Sequence, residues 1–140
     1  MRALSLKTLS VICAMSFISD LVAKDRLLPG EYIQRGDQLT SSNGCFRLAM
    51  QHDGNLVIYK NINNQAIWSS RTDNTATYIA FMQRDGNFVT YTYNGTPTWN
   101  SQTQNHEGAW VVMQGDGNLV VYAWNSLRSL WASNTVTNCY

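Results

Sequence analysis

Three ten-residue segments of this 140-residue chain line up without a gap. They run Met50–Tyr59, Met82–Tyr91 and Met113–Tyr122, and each reads Met-Gln-x-Asp-Gly-Asn-x-Val-x-Tyr, with seven of ten positions identical in all three. The glutamines stand at 51, 83 and 114, and each is followed 16 or 17 residues later by a tryptophan, Trp68, Trp99 or Trp131. A small pair ending in serine comes next each time: Ser69-Ser70, Asn100-Ser101, Ala132-Ser133. Repetition at this period implies a fold assembled from near-equal units that share one core. The length suits one compact domain and is short for two.

Past the first residues no segment sustains a 3.6-residue apolar period. Short runs rich in Val, Ile, Tyr, Phe and Thr are instead separated by clusters of Gly, Asn, Asp and Ser, which is an all-β pattern. Each unit of about 31 residues has room for three or four short strands. In the first unit they fall near Phe46 to Gln51, near Asn55 to Tyr59, and in a stretch ending at Trp68. One such sheet cannot bury its own apolar face, so three must pack around a pseudo-threefold axis, with the three tryptophans as candidates for the shared core.

If the repeated segment is extended, alternation puts Gln51, Asp53, Asn55, Val57 and Tyr59 on one face and His52, Leu56 and Ile58 on the other. Asp-Gly between apolar flanks is also a hairpin-turn signal, so a bulge or a turn at the glycine stays open. A turn alone does not require the Gln and Tyr at the two ends of the motif, yet both recur in every copy. Carboxylate, two amides, a phenol and one small apolar side chain form the inventory that an uncharged sugar needs: acceptors and donors for its hydroxyls and a surface for its C–H face.

Charged residues make up only 14% of the chain, the formal net charge is +1, and no Lys/Arg run could follow phosphates or anionic lipid. Nucleic acid and membrane insertion are therefore set aside. Arg2 and Lys7 followed by the apolar run Leu9 to Ile18 read as a secretory signal over residues 1–23, too short to span a bilayer, with the folded domain at 24–140. Removing that segment leaves eight basic and eight acidic residues, a balance suited to uncharged ligands. It also leaves two cysteines, Cys45 and Cys139, which in an oxidising compartment would pair and tie the C-terminus back to the start of the domain. Whether that bond lies within or between chains is open. Asn94-Gly95-Thr96 is an N-glycosylation sequon, with Pro97 directly after it.

Each repeat carries one carboxylate, so the paired acid and base of glycoside cleavage have no local source, and no nucleophile motif is present. One Asp and one Asn per repeat fall short of a calcium shell, and the two distant cysteines with His52 and His106 do not form a zinc pattern. No enzyme, metal or cofactor is expected.

The motif Gln-x-Asp-x-Asn-x-Val-x-Tyr resembles that of the monocot mannose-binding, or bulb-type, lectins, and all three copies match at all five positions between about Leu27 and Trp131. The resemblance implies a β-prism II fold, three four-stranded antiparallel sheets around a pseudo-threefold axis, with one metal-independent mannose pocket per sheet. By position, Asp53, Asp85 and Asp116 with Asn55, Asn87 and Asn118 would bind the axial 2-hydroxyl. Gln51, Gln83 and Gln114 would hold the 3-hydroxyl. Tyr59, Tyr91 and Tyr122 would reach the 4-hydroxyl, and Val57, Val89 and Val120 would pack against the ring. The implied protein is a secreted lectin for mannose-containing glycans, acting in defence or agglutination as a homodimer or larger homo-oligomer. Two departures stand out: glycine fills the place in the motif where plant members usually carry a cysteine, and Cys139 would pin a tail that many members exchange with a partner. The alternative is a prism used as a protein-binding or adhesion-modulating module. The Gln-x-Trp triplet of the three-repeat β-trefoil lectins does not occur.

Overall fold

The computed structural model describes residues 23–140; the secretory signal read over residues 1–23 lies, but for Ala23, outside the described residues. Twelve strands form three four-stranded sheets, and all strand pairings are antiparallel. The first repeat supplies β4 (Phe46–Met50), β5 (Leu56–Lys60) and β6 (Gln65–Ser69). The second supplies β7 (Thr77–Met82), β8 (Phe88–Thr92) and β9 (Pro97–Asn100), and the third β10 (Trp110–Met113), β11 (Leu119–Tyr122) and β12 (Ser129–Ala132). This is the expected β-prism of three four-stranded sheets.

Each repeat yields three strands, and the fourth comes from elsewhere. The segment ahead of the first repeat forms β1 (Arg26–Leu27), β2 (Tyr32–Gln34) and β3 (Gln38–Thr40), which pair with β10, β7 and β4 respectively. This stretch walks once around the prism, giving one edge strand to each sheet. Leu27, Ile33 and Leu39, six residues apart, each drop one side chain into the core. Gly36, at φ +92, turns the chain between β2 and β3 and donates its N–H to Met50. The circuit closes where Thr40 N–H meets the Lys24 carbonyl at 2.8 Å.

The inward positions repeat with compensating volumes. Met50, Met82 and Met113 are equivalent and buried, as are Leu56, Phe88 and Leu119. The larger Phe88 is offset by Ala80 where the other copies carry Leu48 and Val111, so the core keeps its density. Trp68, Trp99 and Trp131 meet edge-to-face with centroids 5.4–5.7 Å apart. They are half-buried rather than part of the fully buried core, and pack against it.

A register shift precedes the motif tyrosine in every sheet, between Ile58 and Tyr59, Thr90 and Tyr91, and Val121 and Tyr122. The extra residue on the partner strand is the one just before each tryptophan. Such a bulge re-aims the side chains beside it, here Tyr and Trp. Cys45 and Cys139 are bonded within the chain, Cα atoms 5.4 Å apart, and Lys60 Nζ donates to the Tyr140 carbonyl at 3.1 Å.

Candidate functional site

The five motif residues of each copy come together, but by a route that differs from simple strand alternation. Gln51 through Asn55 form the hairpin turn between β4 and β5: Gln51 N–H donates to Asn55 C=O at 2.9 Å and Gly54 N–H to Gln51 C=O at 3.1 Å. The second and third copies repeat this at Gln83–Asn87 and Gln114–Asn118. Only Val57 and Tyr59 lie on the strand. His52 is correspondingly exposed and faces Gly36, not the core, because a turn residue does not follow strand alternation. The glycine is obligatory on two counts. Its φ is +91, +95 and +91, and a Cβ there would meet a backbone carbonyl, Thr75 at 2.7 Å from Gly54 and Thr135 at 2.8 Å from Gly117.

Within each turn the polar side chains are locked by one another. Asp53 Oδ1 accepts the Asn55 backbone N–H at 2.9 Å, with 3.0 Å at Asp85 and Asp116. Gln51 Nε2 donates to the Asp53 carboxylate at 3.1 Å, as Gln83 does to Asp85 and Gln114 to Asp116. The hydroxyls of Tyr59, Tyr91 and Tyr122 donate to the Oε1 of those same glutamines. The valines are nearly covered at 3%, 3% and 2% exposure, while the aspartates are open to solvent.

A second set of residues holds the asparagines: the serines that recur after each tryptophan, to which the sequence reading gave no role, and threonines that it did not single out. Asn55 Oδ1 accepts from Ser70 Oγ at 3.2 Å and from Thr72 N–H at 3.1 Å. Ser101 and Thr103 hold Asn87, and Ser133 and Thr135 hold Asn118, in the same way. Each threonine hydroxyl also donates to the carbonyl of the motif glycine. The signal was present: every copy carries Ser-x-Thr starting two residues after its tryptophan. The intervening Arg71, Gln102 and Asn134 all have φ near +57.

These bonds decide what each pocket can offer. Asn Oδ1 and Gln Oε1 are consumed by the scaffold, so the amides present N–H donors, while the carboxylate and the phenol oxygen keep lone pairs. Donors and acceptors alternate along a shallow surface over a valine, the pattern a pair of neighbouring hydroxyls satisfies. In the second pocket Asn87 Nδ2 also lies 3.4 Å from Asn100 Oδ1, so one of its two N–H groups faces a neighbour. Among the described residues no group of three or more His, Cys, Asp or Glu clusters as metal ligands would. Asn94 is exposed in the turn between β8 and β9.

Burial, and secondarily the Asp85 charge, raises the Tyr91 phenol above its ordinary value of 10. A folded-state pKa above the unfolded one contributes stability that is present below pH 10 and lost as pH rises through the folded value. Tyr91 therefore remains the donor to Gln83 at neutral pH. An ultraviolet phenolate titration should show a step above the ordinary tyrosine value, and Tyr91→Phe should remove that step. A titration curve unchanged by Tyr91→Phe would refute it.

No family model matches the sequence. The B-type lectin plumieribetin of Scorpaena plumieri is 36% identical over 69 residues, a match spanning 49% of this chain and 58% of that protein, little more than half its length. Among solved structures, a monomeric monocot mannose-binding lectin from Gastrodia elata is similar at TM-score 0.72 and 38% identity, covering 81% of this chain and all of the other. The mannose-specific agglutinin of snowdrop (Galanthus nivalis) bulbs, complexed with methyl-α-D-mannoside, is similar at TM-score 0.67 and 32% identity, covering 82% of this chain and all of that one. Fold and sequence thus agree across the whole length of these lectins, and the chain belongs to the bulb-type, monocot mannose-binding lectin family.

Proposed function

We propose that this protein is a secreted, non-enzymatic lectin that binds terminal mannose of glycans through three metal-independent pockets, with Gln, Asp, Asn, Val and Tyr of each repeat as the contact set. The observation that carries this reading is the threefold recurrence of one hydrogen-bond array, which fixes the glutamine amide against the aspartate carboxylate in the same way each time. The mannoside complex of the similar snowdrop agglutinin supports mannose as the sugar. The axial 2-hydroxyl would lie between the aspartate, which accepts, and the asparagine Nδ2, which donates. One carboxylate per pocket, already bonded to Gln and to the turn, supports a site that works without a cation.

Such shallow sites hold one sugar weakly, at roughly millimolar dissociation constant, about 4 kcal/mol. Number then supplies strength: three pockets, multiplied by homo-oligomerisation, raise apparent affinity by about 10² to 10⁴ on a mannose-rich surface. This suits agglutination or coating of microbial surfaces in defence. Mannose-agarose should retain the protein in EDTA and release it to free mannose. Folded protein that passes straight through would move the assignment to the protein-binding use of the prism.

A further inference from the structure

The three pockets share their motif, but not their surroundings. Two residues after the motif tyrosine stand Asn61, Tyr93 and Trp124 in the three copies. Opposite that tyrosine, on the neighbouring strand, stand Arg47, Ile79 and Trp110. Arg47 folds over the Tyr59 ring, its guanidinium 4.5 Å from the centroid. Trp110 instead lies beside Tyr122 with centroids 5.2 Å apart, extending an aromatic surface.

Trp124 is the unexpected residue. It sits in the β11–β12 hairpin with 68% of its surface exposed, which no core requirement explains. It is nevertheless fitted into place, because a Cβ on Gly108, where φ is +85, would stand 2.8 Å from three Trp124 side-chain atoms. Beside it runs a groove of about 570 Å³ whose lining includes Leu28, Arg84, Glu107, Trp110 and Trp124. That volume lies within the range, about 300–1,000 Å³, of sites that hold a drug-sized molecule. Arg84 and Glu107 also line a hollow bordered by Asp85, so the groove leads to the aspartate of the second pocket. Trp110 also lines the hollow at Gln114 and Tyr122, so its far end reaches the third.

We propose that this groove is an extended carbohydrate subsite, which takes the further residues of a neutral oligosaccharide whose terminal sugar occupies the Asp85 pocket. The proposal rests on the mannose reading of that pocket. Indole faces match the C–H face of a pyranose, while Arg84 donates to hydroxyls and Glu107 accepts from them. A guanidinium and a carboxylate on one rim balance in charge, which favours a neutral ligand over an anionic one. Lectin and oligosaccharide would then meet across two repeats, and the site would exist only because the prism closes.

Calorimetric titration of the whole protein with methyl α-mannoside and with a set of α-linked mannotrioses of differing linkage tests this. At least one trisaccharide should bind about tenfold tighter than the monosaccharide, at one site per chain. Trp124→Ala and Glu107→Ala should each erase most of that gain; Trp124→Ala, which does not line the hollow bordered by Asp85, should leave the monosaccharide affinity within about twofold, and both should leave the melting temperature nearly unchanged, since both residues are exposed. Equal affinity for both sugars in the wild type, or a gain that survives both substitutions, overturns the subsite. So does a change in sedimentation mass in Trp124→Ala with the trisaccharide gain intact, which would make this face a self-association surface. Failure of the wild type to bind even the monosaccharide would instead mark failure of the mannose reading, and the subsite would fall with it.

Discussion

Changing Asp53, Asp85 and Asp116 together to alanine is expected to abolish retention on mannose-agarose. Each carboxylate is the acceptor in the outward-facing set, and it also anchors Gln Nε2 and the turn N–H. A hydrogen bond to a charged group contributes about 1.5–3 kcal/mol, so each pocket loses roughly ten- to a hundredfold from an affinity that starts near millimolar. No pocket is then left to supply avidity. The turns lose a local bond as well, at about 1 kcal/mol each against a total stability of about 5–15 kcal/mol, so the variant should fold with a lower melting temperature. The triple Asp→Asn variant separates the two effects. Its amide oxygen can still accept the turn N–H, so stability should recover while retention stays lost. Full retention by a folded triple alanine variant would remove the aspartates from the site.

Replacing Cys45 and Cys139 by serine should produce the largest loss of stability. The bond closes a loop between residues 94 apart in sequence. Chain-entropy arguments assign about 4–5 kcal/mol to a loop of that length, which for a domain of this size lowers the melting temperature by about 10–20 °C. The loss should begin in the third pocket. Ser133 and Thr135, which hold Asn118, belong to the tail the disulfide secures, and Thr137 N–H bonds the Asp116 carbonyl at 2.9 Å. Calorimetric titration of the serine variant below its melting temperature should count two sound mannose sites per chain and a weakened third. A melting temperature unchanged by the substitution would mean that Lys60 and the tail hydrogen bonds suffice without the covalent link.

The strands of each repeat were legible because a half-buried strand writes its own alternation into the sequence. The spans expected near 46–51 and 55–59 coincide with β4 and β5 to within a residue at each end. The turn was harder. Gln51 to Asn55 can be drawn as an extended wet face or as a hairpin, and both place polar groups outward; the difference is the positive φ of Gly54, which glycine permits but does not demand. His52 shows the consequence, since strand alternation sends it inward and the turn leaves it exposed. The three tryptophans were placed on the axis, where they do meet, but a ring of three indoles in edge-to-face contact keeps part of each surface in solvent.

What the sequence by itself determined is the number of units, their all-β character and the five residues gathered at each pocket. These follow from local relations: the pocket bonds join residues two or eight apart in the chain, and one hairpin suffices to make them. Tertiary structure alone decided the rest. The fourth strand of every sheet comes from Arg26 to Thr40, because closing a prism leaves three edges that one stretch of chain, stepping every six residues, can cover. The Ser-x-Thr straps hold asparagines 15 or so residues away across a bulged edge strand. The Trp124 groove and the pinned tail join residues that only three sheets packed on a common core bring together.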